Sequence, residues 1–83
     1  MTHDQLLSRV LALLGPPPAL DDDDPRAVAY SKAANLATAA CSMLALGHVA
    51  RAVETLQLIA ELDDRPGRAA RWWSLADEVG GSA

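Results

Sequence analysis

Few residues in this chain have side chains that could perform chemistry. The one cysteine, Cys41, and the two histidines, His3 and His48, are the candidate nucleophile, bases and metal ligands. No pair among them shows the short ligand spacing of zinc sites. A thiol nucleophile also needs a histidine beside it in a cleft, and a chain of 83 residues offers little cleft. We therefore expect a small buried cysteine, no enzyme activity, no metal and no cofactor.

Consecutive aspartates, Asp21 to Asp24, form another group that could bind a cation. Calcium loops place their oxygen ligands at alternating positions and turn at a glycine, whereas this run is unbroken. The prolines before it, Pro16 to Pro18, favour an extended connection. The pattern predicts a solvated linker over residues 15–24, in which Asp24 caps the next helix and Pro25 occupies its first turn.

One cluster of basic and aromatic residues lies towards the C-terminus. Arg68 precedes Trp72 by about one helical turn, which is compatible with a cation–π contact. Tryptophan and arginine are enriched at the centres of protein interfaces, and aromatic rings also stack on nucleic-acid bases. Alternatively, one or both tryptophans close the end of the core. The functional prediction is a partner-binding region containing Arg68, Arg71, Trp72 and Trp73.

Composition limits the possible function classes. The chain has the length of one small domain and a formal net charge of −4, which disfavours general binding to nucleic acid or anionic membranes. Apolar residues make up 51% of the chain, whereas aromatic residues make up only 4% of it. The core is therefore small, and burial of further surface against a partner would add substantially to the stability of the fold. A lone cysteine and the lack of a signal-peptide pattern predict a cytoplasmic protein.

The first helix is predicted over residues 3–14. Thr2 and Gln5 have capping-box spacing, and Gly15 with Pro16 ends the helix. Its leucine-rich face must dock on another helix because so short a helix is marginal by itself.

The second helix, predicted over residues 25–46, is the element around which the fold is expected to form. One stripe consists of Ala29, Ala33, Leu36, Ala40 and Met43. Another face carries only Ser31, Asn35, Thr38 and Ser42. From residue 33 to residue 50 the chain has no charged side chain, and the stretch is too rich in alanine and polar residues to predict a membrane span. A solvent-facing helix normally carries charges, so we expect this helix to be covered, in part by a second copy. The predicted contacts are Ala33, Leu36, Ala40 and Met43, and a dimer is favoured.

A third helix is predicted over residues 48–62 and a fourth over residues 66–79. In the third, Leu58 and Leu62 lie off the main apolar stripe, and Leu58 is a further candidate contact. In the fourth, arginines come early and carboxylates late, against the helix dipole. We therefore expect the arginines to interact with Asp63, Asp64 or a partner's carboxylates.

Residues 33–66 resemble a tetratricopeptide-type helical hairpin. The residues that carry the likeness are Leu46-Gly47-His48-Val49, Ala52 and Ala60-Glu61-Leu62-Asp63. The chain departs from that family at Ile59 and Asp64, and it contains one such unit where solenoids need about three. The resemblance implies a tight helical hairpin and the binding of a peptide or protein.

Together these patterns predict an all-α domain of four helices, with a central antiparallel hairpin, two covering helices and association into an oligomeric bundle. The predicted function is a non-catalytic interaction or regulatory module that acts through helix–helix contacts. Two alternatives stay open: a DNA-linked regulator or antitoxin, which the acidic charge opposes, and an accessory subunit of a larger enzyme.

Overall fold

Four α-helices form the protein in the computed structural model, which describes residues 1–19, 21 and 23–81. They are α1 (His3–Leu14), α2 (Pro25–Ala45), α3 (Val49–Leu62) and α4 (Arg68–Gly81). No strand occurs in these ranges. The predicted all-helical fold class is therefore confirmed.

The starts of the first two helices follow directly from their capping residues. At α1, the hydroxyl of Thr2 accepts a hydrogen bond from the Gln5 backbone N–H, and the Gln5 side chain accepts one from the Thr2 backbone N–H. At α2, the Asp24 carboxylate accepts from the Arg26 backbone N–H at 2.9 Å, and Pro25 is the first helical residue. The predicted cap at Asp24 is confirmed, whereas Asp22 lies outside the described residues.

The later helix ends differ from the predicted ones by one or two residues. Helix α2 ends at Ala45, and α3 begins at Val49 after a turn in which Gly47 has a φ of 84°. Helix α4 begins at Arg68 because Gly67, with a φ of 77°, cannot be part of a right-handed helix. It continues through Gly81, since glycine weakens a helix end without preventing it.

The helices form a ring in which each packs on its neighbours. Helix α3 packs extensively against both α2 and α4, while α1 packs against α2 and, to a smaller extent, α4. Short turns connect α2 to α3 and α3 to α4, so these pairs run antiparallel. The sequence predicts that the fourth helix covers the end of the hairpin. In the structure, helix α4 instead lies along α3.

The core combines small side chains from α2 with larger ones from the other three helices. Helix α2 contributes Ala33, Ala37, Ala40 and Cys41. The largest side chains buried against them are Trp72, Leu6, Leu56, Ile59 and Leu75. Alanines at the centre let α2 approach its neighbours closely, and one ring from α4 supplies much of the buried volume. Within the described residues, no helix is both long and apolar enough to cross a membrane.

Candidate interaction surfaces

A buried carboxylate in the α3–α4 turn accounts for much of the predicted basic and aromatic cluster. The side chain of Asp63 is only 5% exposed. Its Oδ2 atom accepts hydrogen bonds from the indole Nε1 of Trp72 at 2.9 Å and from Nη2 of Arg65 at 2.7 Å. Its Oδ1 atom accepts from Nε of Arg65 at 2.8 Å. These donors, the Arg65 guanidinium above all, lower the pKa of Asp63 from 3.8 to about 2.

The same turn caps the C-terminal end of α1. Arg65 donates to the carbonyl oxygens of Leu14 at 2.9 Å and Leu13 at 3.1 Å. Arg68 also donates to the Leu13 carbonyl at 3.1 Å. The last carbonyls of a helix lack partners within it and carry partial negative charge, so two arginines stabilise this end. This explains why arginines stand early in α4: Arg65 bonds to Asp63, as expected, and Arg68 bonds to backbone carbonyls of α1.

The predicted partner-binding region in α4 does not come together as one surface. Trp72 is fully buried and Arg68 bonds to α1, so both stabilise the fold and Trp72 presents no surface to a partner. Arg71 is exposed and lies seven residues before Glu78, which pairs with Arg9 of α1. Arg71 is thus on the α1 side of the helix. Trp73, 45% exposed, projects from a different side.

The predicted contact stripe of α2 is largely used within the chain itself. Ala33 and Ala40 are 5% and 0% exposed, so neither can contact a second molecule in this fold. Leu36 and Met43 are half-buried and pack against the core. The sulfur of Met43 lies 3.4 Å from the Thr55 hydroxyl, which donates its proton to the Arg51 carbonyl at 2.7 Å, and this contact places the stripe against α3. The small residues of the stripe serve the close α2–α3 contact.

One side of α2 that remains in solvent carries small uncharged residues, whereas Arg26 and Lys32 are exposed elsewhere in its first two turns. We call the uncharged side the outer face of α2; its members, all exposed, are Ser31, Asn35, Thr38 and Ser42. The Thr38 hydroxyl donates to the Ala34 carbonyl one turn earlier, at 3.0 Å. Leu11 of α1 is 58% exposed and lies almost opposite Arg9 around that helix, hence on the side towards α2. An apolar side chain therefore stands at the edge of this face.

Two further apolar side chains are exposed on α3. Leu58 is 50% exposed and Leu62 is 38% exposed. Leu58 lies on the outer side of α3, whereas Leu62, three residues after the core residue Ile59, lies at the edge of the core and lines the pocket described next. The predicted second strip of α3 is therefore open to solvent.

A pocket of about 280 Å³ lies between the α1–α2 linker, the start of α2 and the end of α3. Tyr30 lines it and donates a hydrogen bond to the Gly15 carbonyl at 3.0 Å. Arg65 also lines it, but its guanidinium is engaged with Asp63 and α1. The remaining lining is mostly apolar: Leu14, Pro16, Pro18, Pro25, Ala29, Ala33 and Leu62, with Arg26, Asp63 and Asp64. No sequence pattern predicts this pocket, because it joins segments far apart in the chain.

The candidate nucleophile Cys41 and the candidate base His48 lie in different surroundings. Cys41 is buried in α2, and burial raises the pKa of its thiol, which disfavours the nucleophilic thiolate. His48 is exposed in the turn before α3. Among the described residues, no group of three or more histidine, cysteine, aspartate or glutamate side chains could hold a metal ion.

Comparisons with protein-family models, curated proteins and solved structures find no match for this chain. The tetratricopeptide resemblance of residues 33–66 stays a prediction. The function must therefore be inferred from the surfaces described above.

Proposed function

We propose that this chain is a small non-catalytic interaction module that associates with a second copy of itself through the outer face of α2. The observation that carries the proposal is the contrast between exposed helix surfaces. The exposed charges of α2, Arg26 and Lys32, lie in its first two turns, and from residue 33 to Ala45 its exposed positions carry no charge. The exposed surfaces of α3 and α4 carry Arg51, Glu54, Glu61, Arg71 and Asp77.

Burial of this face in a dimer would cost little. Serine, threonine and asparagine side chains lose far less hydration than charged ones and can bond across a helix pair. The Thr38 hydroxyl already has its own acceptor in the Ala34 carbonyl. Short side chains also let two helices approach at the lower end of the usual interaxial range, about 8–10 Å. Leu11 would add apolar area at the edge.

The dimensions of the molecule are compatible with such a contact. The chain measures 39 × 22 × 18 Å, and α2 has 21 residues. A contact along α2 could run for up to about 30 Å, at 1.5 Å per residue. A domain of 83 residues with an alanine-rich core would also gain apparent stability from association.

The experiment is light scattering over a dilution series, with Ser31→Glu and Asn35→Glu as test variants. Ser74→Glu is a matched control, because Ser74 is an exposed serine of α4 at the same position in its helix as Ser31 in α2. We expect wild type and Ser74→Glu at twice the chain mass of 8.7 kDa. The test variants should be folded monomers. A wild type that is monomeric throughout, or a control that dissociates equally, contradicts the proposal.

Ala33 and Ala40 are unsuitable positions for this test. Both lie in the core of the chain, so a glutamate there would bury an unpaired charge and disrupt the fold even in a monomer. Changes on the outer face leave the core untouched and separate association from folding.

Placement of the arginines gives the DNA-binding alternative no support. Arg65 and Arg68 bond to α1 carbonyls, and Arg9 pairs with Glu78. Arg51 and Arg71 are exposed on different helices. Phosphate binding needs several cations on one surface, so a protein partner fits these observations better.

A further inference from the structure

We infer that a second surface, on the outer side of the α3–α4 pair, binds an arginine-containing amphipathic segment of another protein. We call it the acidic–aromatic face; its members are Glu54, Leu58, Glu61, Trp73 and Asp77, all exposed. It is separate from the outer face of α2, so this inference goes beyond the proposed self-association.

Helix spacing places the three α3 members together. Leu58 follows Glu54 by four residues and precedes Glu61 by three, so the leucine lies between two carboxylates on one side of the helix. Leu58 is 50% exposed. An apolar side chain is thus flanked by negative charge at both ends.

The α3–α4 packing brings Trp73 to the Glu61 end of this face. A Cβ atom on Gly80 would lie 3.5 Å from Cγ2 of Val53, which shows that Gly80 is on the α3-facing side of α4. Trp73 is seven residues before Gly80 and therefore shares that side. Because the helices are antiparallel, Trp73 lies level with residues 60–61 of α3. Asp77 is one turn further along α4 on the neighbouring outer position.

The carboxylates of this face are unpaired among the described residues, although Arg51 lies beside them. In the described part of the chain, Glu54, Glu61 and Asp77 form neither an ion pair nor a side-chain hydrogen bond. Arg51, three residues before Glu54 and seven before Leu58, is exposed on the same side of α3. The arginines of α4 cannot compensate, since Arg68 bonds to α1 and Arg71 is on the α1 side.

Charge and shape together define the partner. Unpaired carboxylates attract cations and repel phosphates, which excludes nucleic acids and anionic lipid as ligands of this face. The exposed indole of Trp73 can stack on a guanidinium, and tryptophan is the best aromatic for that contact. Leu58 and the rest of the indole need an apolar counterpart. An amphipathic helix with arginines beside leucines supplies both.

The test uses a labelled synthetic helix of 14 residues, the length of α3, with alternating arginine and leucine positions on one face. Binding to the full chain is followed by fluorescence anisotropy. Trp73→Ala and Glu61→Lys should each weaken binding by about tenfold, equivalent to about 1.4 kcal/mol. Leu46→Ala and Asp21→Lys are the controls, since Leu46 is 74% exposed in the α2–α3 turn and Asp21 is an exposed aspartate of the α1–α2 linker. They should change the affinity by less than about twofold.

Several results would overturn the inference. One is that the arginine–leucine helix does not bind. Another is that Trp73→Ala binds this helix as tightly as the wild type does. Equal weakening by Asp21→Lys and Glu61→Lys would show attraction to net charge alone. Equal binding of a peptide with glutamine in place of arginine would show an apolar partner. If Trp73→Ala converts a dimer into a monomer in light scattering, the face is covered by a second copy instead.

Discussion

Asp63 and Trp72 are joined by a 2.9 Å hydrogen bond from the indole nitrogen to a carboxylate that is almost fully buried. The bond links the turn after α3 to the largest side chain of the core. Arg65 binds the same carboxylate and the carbonyls of α1. The Asp63–Arg65 ion pair therefore connects α1, the end of α3 and α4. This group of residues stabilises the fold.

The ion pair between Asp63 and Arg65 makes the free energy of unfolding depend on pH in the acid range. The pKa of Asp63 is about 2 in the folded chain, against an ordinary value of 3.8, so the unfolded state binds the proton more tightly. Its contribution, about 2 kcal/mol, is complete above pH 3.8 and is lost as the pH falls towards 2. Unfolding by urea at pH 5, 4, 3 and 2 measures this loss. Asp63→Asn should be less stable at pH 5 and should show a smaller decrease towards pH 2.

Replacement of Arg65 by lysine should destabilise the chain despite the conserved charge. A single ammonium group cannot reach Asp63, Leu13 and Leu14 together, as the planar guanidinium does. We expect Arg65→Lys to lower the free energy of unfolding by about 2 kcal/mol. Arg71→Lys, at an exposed arginine, should change it by less than about 0.5 kcal/mol. Equal effects in thermal unfolding would show that the capping of α1 contributes little.

Much of the fold could be predicted because its signals are local. The capping box at Thr2, the Asp24 cap and the Gly47 turn depend on residues a few positions apart. The predicted start of the fourth helix is two residues too early, because Pro66 is compatible with a first helical turn. The left-handed conformation of Gly67 moves the start to Arg68.

The inward side of α2 could not be predicted in the same way. Alanines occur on most of its sides, so the periodicity of small residues does not distinguish the core from a dimer contact. Burial of Ala33 and Ala40 is decided by α3, which packs on that stripe. In α4, the spacing of Trp72, Leu75 and Val79 was a usable signal for the buried ring. The contact between Arg65 and Leu13, which are 52 residues apart, has no signal in the sequence.

Two glycines should respond to alanine in opposite directions. Gly47 has a φ of 84°, which strains any residue with a Cβ, although no atom lies within 4 Å of the added carbon. Gly47→Ala should cost about 1 kcal/mol. Gly80 is helical, and its added Cβ would make ordinary contact with Val53 at 3.5 Å. Gly80→Ala should stabilise the chain by about 0.5 kcal/mol. Thermal unfolding of both variants tests the difference in sign.

The adjacent tryptophans should differ sharply in their contributions to stability. Trp72→Phe removes the hydrogen bond to Asp63 and leaves space in the core, so we expect a loss of about 2 kcal/mol. Trp73→Phe keeps an aromatic ring at a position that is 45% exposed and should cost less than about 0.5 kcal/mol.

Acrylamide quenching of the same two variants gives an independent measurement of the tryptophan environments. The tryptophan that remains in Trp72→Phe is Trp73, which should be quenched readily because it is exposed. The one that remains in Trp73→Phe is Trp72, which should be protected by the core until the chain unfolds. Similar quenching in the two folded variants would contradict the burial of Trp72, and with it the assignment of Trp73 alone to the acidic–aromatic face.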